Sequence, residues 1–441
     1  MKRTIYNKLV QWKQRTDKKP LIIKGARQVG KTYIIRQFAH DQYDDLIEIN
    51  FERDLRFKSI FEKSHDPKEL LDIFKIEFMD KKLDRNTLFF MDEIQACSDA
   101  ITALKFLAED FPCDILCSGS ALGVAIANST SFPVRYVDTW EMFPMSFTEF
   151  LTAYGIDPAI LEKIRSCVET TLPVPEILHD KMNELFNQYL MIGGMPEVVK
   201  TYVDTHSYYD CLQLQRKIVD DYLSDMVKYA NPSDALKIRE CFSSIPVQLA
   251  KENKKFQYSV VKKGYNARYF DNSLRWLEDS GLTLKINRLH SIDYPLASQV
   301  ELNIFKIYMA DTGLFISQLD DGDIRQLMSG NMGLYKGAVI ESITAQIFKR
   351  MKKKAYYYEP SQTSEIDFII EYNGSITPVE IKSGRHTTST SLNNYITRYK
   401  PQQAFRFSVK NIGLDSERNV VFYPLYTMEF VLENEKIPFQ H

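Results

Sequence analysis

The chain has no apolar run approaching the roughly 18 residues needed to span a bilayer. It also lacks the apolar core of a secretory signal: Met1-Lys2-Arg3-Thr4-Ile5-Tyr6 leads into Gln11-Trp12-Lys13-Gln14-Arg15. The expectation is a soluble, cytoplasmic protein with no membrane partner. Its six cysteines (Cys97, Cys113, Cys117, Cys167, Cys211, Cys241) form no C-x-x-C pair, which argues against a zinc ribbon or a disulfide framework and reads as reduced, packed thiols. Charge of one sign is missing too. Lys and Arg number 56 against 58 Asp and Glu, a net charge of −2, so any nucleic-acid surface has to be local. No internal repeat or low-complexity tract stands out. What remains is 441 residues, 44% hydrophobic and 26% charged, enough for the cores of two to three domains.

The run Gly25-Ala26-Arg27-Gln28-Val29-Gly30-Lys31-Thr32 fits G-x-x-x-x-G-K-[ST] at every fixed position. Leu21-Ile22-Ile23 before it reads as a short buried strand, and Tyr33 to Ala39 after it as a helix. Strand, glycine loop and helix start together surround a phosphate chain with backbone N–H groups and the positive end of a helix dipole. Gly25 and Gly30 are expected to let the backbone approach the phosphates. Lys31 is expected to reach the β- and γ-phosphates, and Thr32 to bind Mg²⁺. A chance glycine-lysine turn would not be framed in this way.

Downstream, Leu88-Phe89-Phe90-Met91 has the continuous apolar character of a central parallel strand and ends in Asp92-Glu93. Alone this is weak, because strands often end in solvated acids. Paired with the glycine loop it reads as Asp92 ordering the Mg²⁺ shell and Glu93 taking a proton from the attacking water. A third strand, Asp114-Ile115-Leu116-Cys117, ends in Ser118-Gly119-Ser120. Ser118 is the first choice for sensing the γ-phosphate or the water, with Ser120 in reserve. A plain Gly-Ser turn accounts for either residue about as well.

Alternating strands and helices over 1–150 imply a doubly wound α/β domain with a parallel sheet. Ile47 to Phe51 is the expected second strand, Thr102 to Phe111 a helix, and Trp140 to Phe147 the exit. Residues 151–234 read as a helical linker or lid, broken at Pro173, Pro175 and Gly193-Gly194. Residues 235–310 have the shape of a winged helix. A helix (Ala235–Ser244) and a short segment (Pro246–Ala250) precede an amphipathic helix (Arg268–Glu278) and a strand (Leu282–Ile286). Lys251, Lys254, Lys255, Lys262, Lys263, Arg268 and Arg275 place positive charge around it, so DNA docking through 250–290 is one reading. Asp271, Glu278 and Asp279 interrupt that face, and packing between domains is the other.

In 311–441, a helix from Gly337 to Met351 carries Glu341, and Ala355–Tyr358 follows as a strand. Glu365-Ile366-Asp367-Phe368-Ile369-Ile370 alternates, so Glu365 and Asp367 share a face. After the Asn373-Gly374 turn comes Val379-Glu380-Ile381-Lys382, which puts Glu380 and Lys382 on one face beside Asp367. Two acids and a lysine at a sheet edge are what a metal-dependent nuclease needs: Asp367, Glu380 and Glu341 on Mg²⁺, Lys382 on the attacking water. This is the D…E-x-K signature of the PD-(D/E)xK nuclease fold, a degenerate motif. Lys382, Arg385, Arg398, Lys400, Arg406 and Lys410, with no Asp or Glu over 381–410, form an expected phosphate-facing strip within 380–410.

With these residues in view, the chain resembles a family of prokaryotic AAA-type ATPases. In that family an ATPase domain precedes a helical and winged-helix region and a nuclease-like domain. The resemblance rests on Pro20 to Thr32, Met91-Asp92-Glu93-Ile94-Gln95, Ser118-Gly119-Ser120, Phe143 to Phe150, Gly193-Gly194-Met195-Pro196, Ala310-Asp311-Thr312-Gly313-Leu314, and Asp367 with Glu380-Ile381-Lys382. It implies ATP as the nucleotide and supplies no physiological substrate. The family's Gly-Arg ahead of Phe-Pro-Met-Ser-Phe is absent. Arg135, after Pro133-Val134, is the candidate for touching a γ-phosphate in cis or from a neighbouring copy.

Two functions of different class follow. One is an ATP-hydrolysing machine coupling nucleotide state to a DNA-binding or nuclease-like module. The other is a nucleotide-gated switch whose nuclease-like domain is silent and binds a protein partner. A small-molecule kinase fits less well, because Glu93 suits water better than a hydroxyl acceptor.

Overall fold

The computed structural model describes residues 1–120, 132–229, 232–251, 253–328, 335–361, 363–384 and 390–435. Two compact units emerge: Met1–Met145 with Asp279–Gly281, and Ser146–Glu278 with Leu282–His441.

In the first unit β1 (Leu21–Lys24), β2 (Asp45–Asn50), β3 (Thr87–Asp92), β4 (Asp114–Gly119) and β5 (Asp138–Glu141) form one sheet in the order β2-β3-β4-β1-β5. Every neighbouring pair is parallel. Such a sheet needs cover on both faces, and β3 and β4 are buried at every position. One cover is an aromatic cluster: Phe57, Phe61 and Phe74, from the helices Arg56–Lys63 and Pro67–Glu77, pack with Phe89 of β3. Phe74 and Phe89 have ring centroids 4.9 Å apart. β4 lies between β1 and β3, so the ends of all three strands meet at one edge. Edge strand β5 was not anticipated; residues 140–147 read as exit alone.

The second unit begins with helices Phe147–Ala153, Pro158–Thr170, Glu176–Ile192, Pro196–Thr205 and Tyr208–Tyr229. The expected breaks at Pro173/Pro175 and Gly193-Gly194 are present, and further ones fall at 154–157 before Pro158 and at 206–207. Pro246 does not divide its segment. It sits in the last turn of a single helix, Pro232–Leu249, with only three helical residues after it.

Eight strands make the second sheet, in the order β12-β13-β11-β10-β9-β8-β6-β7. They are β6 (Thr283–Leu289), β7 (Val300–Met309), β8 (Ala355–Ser361), β9 (Ser364–Tyr372), β10 (Ser375–Ile381), β11 (Ala404–Ser408), β12 (Gly413–Asp415) and β13 (Val420–Pro424). β8-β9-β10 is an antiparallel meander, and β11 returns parallel to β10 after the helix Thr390–Tyr399. β6, whose stretch Leu282–Ile286 was expected as the wing strand of a separate 235–310 domain, pairs with β7 on one side and with β8 on the other. Its hydrogen bonds continue the C-terminal sheet, and no compact-unit division falls at 234 or at 310.

Two motifs from the resemblance meet here. The Asp311 carboxylate accepts the Gly194 N–H at 2.7 Å and the Leu314 N–H at 2.9 Å. Gly193 has φ +73, and a Cβ there would lie 2.2 Å from Asp311 Oδ1, so only glycine fits. All six cysteines are free, and five are buried. Among the described residues no helix is long and apolar enough to cross a membrane.

Candidate functional site

The loop 25–30 leaves β1 and enters the helix Lys31–Gln42, with Gly30 left-handed (φ 94) at its N-cap. Lys31 is buried and folds back on the loop, donating to Gly25 O at 2.9 Å and Ala26 O at 2.8 Å. Burial lowers its ammonium to about 8, with Arg27 acting in the same direction and the charges of Glu93 and Asp92 opposing. Gly25 also meets a packing constraint. A Cβ there would lie 2.1 Å from Met142 O, so the glycine admits the chain leaving β5.

Asp92 ends β3 as a hub. Thr32 Oγ1 lies 3.2 and 3.3 Å from its two oxygens, and Asn50 Nδ2 donates at 2.9 Å. Ser118 Oγ also donates to Asp92. Ser118 therefore faces the first acid, while the reserve residue Ser120 faces the second. Ser120 Oγ and N lie 3.0 and 3.3 Å from Glu93 Oε2, and Gln95 Nε2 donates to the same oxygen at 2.5 Å. Glu93 is left-handed (φ 52), as is Gln28 (φ 63) in the glycine loop; such strain in ordinary residues gathers at functional sites. Arg27 reaches both Ser120 Oγ and Glu52 at 3.4 Å. Hydroxyl and carboxylate oxygen at Thr32 and Asp92 are the donors Mg²⁺ prefers, so this pair fits the ion the motif implies.

Arg135 lies apart from these residues. It is exposed in the turn before β5. β5 runs parallel to β1 with Asp138 opposite Leu21, so Arg135 lies at the end of the sheet where β1 begins. The glycine loop lies at the other end of the sheet.

Three supporting residues escaped the sequence reading. Buried Arg3 donates to Val29 O at 2.8 Å and Phe143 O at 2.7 Å, pinning the loop. Asn50 stands at the tip of the strand beside β3, which was its only legible signal. Gln95 lies two residues beyond Glu93, and its one signal was its place in the Met91–Gln95 stretch of the resemblance.

The C-terminal candidates form a second cluster. Val379 pairs with Phe368 in the antiparallel register, which puts Glu380 beside Asp367. Lys382, half-buried just beyond β10, lies 2.5 Å from Glu380. Asp367 accepts the Ile381 N–H at 2.7 Å; burial and the charges of Glu380, Glu341 and Glu365 push its carboxyl well above the usual range. Glu341 is engaged on several sides: Tyr308 donates at 2.8 Å, Lys254 ion-pairs with it, and buried Lys306 lies 3.8 Å away while pairing with Glu365. Among the described residues no group of three or more His, Cys, Asp or Glu side chains is arranged to hold a metal. The lysines reach the carboxylates that were expected to form that shell.

The expected phosphate strip contracts. Arg406 is buried on β11 opposite Glu380, while Arg398, Lys400 and Lys410 are exposed and Arg385 lies outside the described residues. Of the lysines around the expected winged helix, Lys254 and Lys255 pair with Glu341 and Glu359, and Lys262 lies 3.6 Å from Glu240.

Residues 17–151 match the family model described as an AAA domain. The N-terminal unit is a P-loop domain of the AAA type. Residues 183–324 and 333–428 match two domains of unknown function, DUF8612 and DUF4143. No curated protein matches the chain. Among solved structures it is similar to a Walker-type ATPase of Pyrococcus abyssi (13% identity, 72% of this chain and 95% of that one, TM-score 0.43). It is also similar to the Aeropyrum pernix ORC1 protein in complex with DNA (10%, 73% and 92%, TM-score 0.30). A third is the S. cerevisiae Hsp104–ADP complex (13%, 79% and 44%, TM-score 0.27).

Proposed function

We propose that the AAA domain binds and hydrolyses ATP and couples its nucleotide state to a DNA-binding or nuclease-like C-terminal module, in the cytoplasm. The observation that carries this is the meeting of Lys31, Thr32, Asp92 and Glu93 where β1, β3 and β4 end. Loop N–H groups from Gly25 to Lys31, among them those of Ala26, Arg27, Gln28 and Val29, would receive the phosphates, and Lys31 would turn from the loop carbonyls to the β- and γ-oxygens. Thr32 and Asp92 would hold Mg²⁺, which offsets phosphate charge when bound. Glu93, freed from Ser120 and Gln95, would take the proton of the attacking water. Arg135 would serve the site of a neighbouring copy, which makes a homo-oligomer part of this reading.

For the C-terminal module, the meander β8-β9-β10 with β11 returning parallel supports a nuclease-like fold. In the active version Glu341 and Glu380 would have to give up their lysine partners to hold a metal with Asp367, and Lys382 would orient the water. One observation favours the second reading, a silent module that binds a protein partner. Lys306 and Lys254 place their ammonium groups where a cation would neutralise Glu341.

The test is phosphate release from ATP with Mg²⁺, with and without single- and double-stranded DNA. Hydrolysis that Glu93→Gln removes supports the reading, and an undiminished rate in that variant overturns it. DNA cleavage that survives Glu380→Ala would count against the active nuclease version.

A further inference from the structure

An aromatic step stands on the surface of the second unit, where the turn after the helix Tyr258–Val261 runs into the first turn of the helix Ala267–Asp279. Tyr265 and Tyr269 are both more than a third exposed (38% and 37%), with ring centroids 4.4 Å apart. Fully buried Phe270 props them from behind, edge-on to Tyr269 at 4.9 Å. The rings border an open cavity of about 360 Å³ lined by Gly264, Tyr265, Asn266, Arg268 and Tyr269.

Charge around the rings says what would cover them. Lys262 Nζ lies 5.1 Å from the Tyr265 ring centre, and Lys237 Nζ lies 4.4 Å from that of Tyr269. Those two lysines also face acids, Glu240 at 3.6 Å and Asp234 at 3.4 Å. Lys263, Arg268 and Arg275 are exposed and make no ion pair among the described residues. The nearest acid on the same helix, Asp271, accepts the Tyr258 hydroxyl at 2.9 Å. Lys262 and Lys237 sit over one face of each ring, so it is the ring surface turned away from them that can stack on a base, while unpaired cations nearby supply phosphate contacts and the Asn266 amide can donate to and accept from a base edge.

We propose that Tyr265 and Tyr269 form a stacking platform for single-stranded nucleic acid, with Lys263 and Arg268 on its backbone. The proposal rests on the nucleic-acid part of the function proposed above and changes its form. A duplex hides its base faces, so the platform takes unpaired bases, where a helix docking in a major groove would take paired ones. Sequence preference is weak, because every base has a stackable face.

The test uses fluorescence anisotropy of the full chain with labelled dT₂₀, rU₂₀ and a mixed-sequence 20-base-pair duplex at two salt concentrations. Single strands are expected to bind more tightly than the duplex, and the DNA and RNA arms decide which strand is preferred. Tyr265→Ala with Tyr269→Ala should weaken single-strand binding by roughly tenfold or more. Tyr265→Phe with Tyr269→Phe should keep it, and ATP turnover without nucleic acid should be unchanged in both. Arg268→Ala with Lys263→Ala should weaken binding and flatten its salt dependence. Wild-type affinity in the double alanine variant overturns the platform while leaving nucleic-acid binding elsewhere, such as around Arg398, intact. Preference for the duplex also overturns it. No binding of any of the three probes removes both the platform and the nucleic-acid reading beneath it.

Discussion

Thr32 Oγ1 lies 3.2 Å from Asp92 Oδ1, joining the helix after the glycine loop to the tip of β3. Neither strand end could create this contact alone. The order β2-β3-β4-β1 inserts β4 between the two motifs, and Ser118 on that inserted strand also donates to Asp92. Hydroxyl and carboxylate are thus preset to share an ion, while Lys31 waits on the loop carbonyls.

Replacing that lysine is the first prediction. Lys31→Ala removes a charge-assisted contact to phosphate worth about 1.5–3 kcal/mol, so ATP affinity should fall roughly 10- to 100-fold. Titration with a fluorescent ATP analogue measures this. An affinity within a factor of two of wild type would remove Lys31 from the site.

Glu93→Gln keeps the shape and the bonding of the second acid but cannot take a proton. Nucleotide binding should persist while turnover falls by about 10²–10⁴, the usual contribution of a general base. Single-turnover assays with labelled ATP should show the substrate retained uncleaved.

Arg135, at the far end of the sheet from its own glycine loop, yields a prediction about association. Arg135→Ala and Glu93→Gln should each be nearly inactive, an arginine supplied in trans being worth about 10³ or more. Mixed, they should regain turnover, because one interface combines the intact Glu93 of one copy with the intact Arg135 of the other. A mixture as inactive as its parts would exclude the trans role.

The parallel sheet was legible because its strands are buried on both faces and read as continuous apolar runs: Leu21-Ile22-Ile23 and Leu88 to Met91 need no partner to be recognised. Edge strand β5 was not, since Asp138-Thr139-Trp140-Glu141 is largely unburied and carries no such run. The acids of the second unit could be named from the alternation along β9 and β10. Their neighbours could not, because Lys254 and Lys306 reach Glu341 from a loop and from a strand distant in sequence. Strand β6 looked like a wing for the same reason: its pairing with β8 joins segments some 70 residues apart, which no local pattern records.

Gly193 and Asp311 show a role the motifs did not announce. Asp311 is buried and caps two backbone N–H groups, and Asp311→Ala would leave both without an acceptor. Each such orphan costs about 1–3 kcal/mol, so the second unit should lose several kcal/mol, with Asp311→Asn losing less. Urea titration with hydrogen exchange read at the helix Glu176–Ile192 would show it. ATP affinity should change little, which separates a structural knot from a nucleotide site.

His179 makes the last prediction, one of pH. Its ring is buried beside β11, with Nδ1 3.0 Å from the Tyr426 hydroxyl and Nε2 3.1 Å from Val409 O. Neutral imidazole satisfies both contacts: Nε2–H donates to the carbonyl and Nδ1 accepts from the tyrosine. Protonation turns Nδ1 into a donor facing a hydroxyl that must then rotate, in a site where burial already disfavours charge. Burial accordingly lowers the His179 pKa below its ordinary 6.5, the Val409 carbonyl opposing. A folded pKa below the unfolded one means that the unfolded chain binds more protons once the pH falls through 6.5. Stability of the second unit should therefore be full above about pH 7 and decline as the pH drops below 6.5. His179→Gln can keep one of the two bonds and has no proton to gain. It should lower stability at pH 7.5 and flatten the decline between pH 6.5 and 5. Urea melts of wild type and variant at those pH values decide the matter: parallel curves would mean that His179 is not the group that titrates.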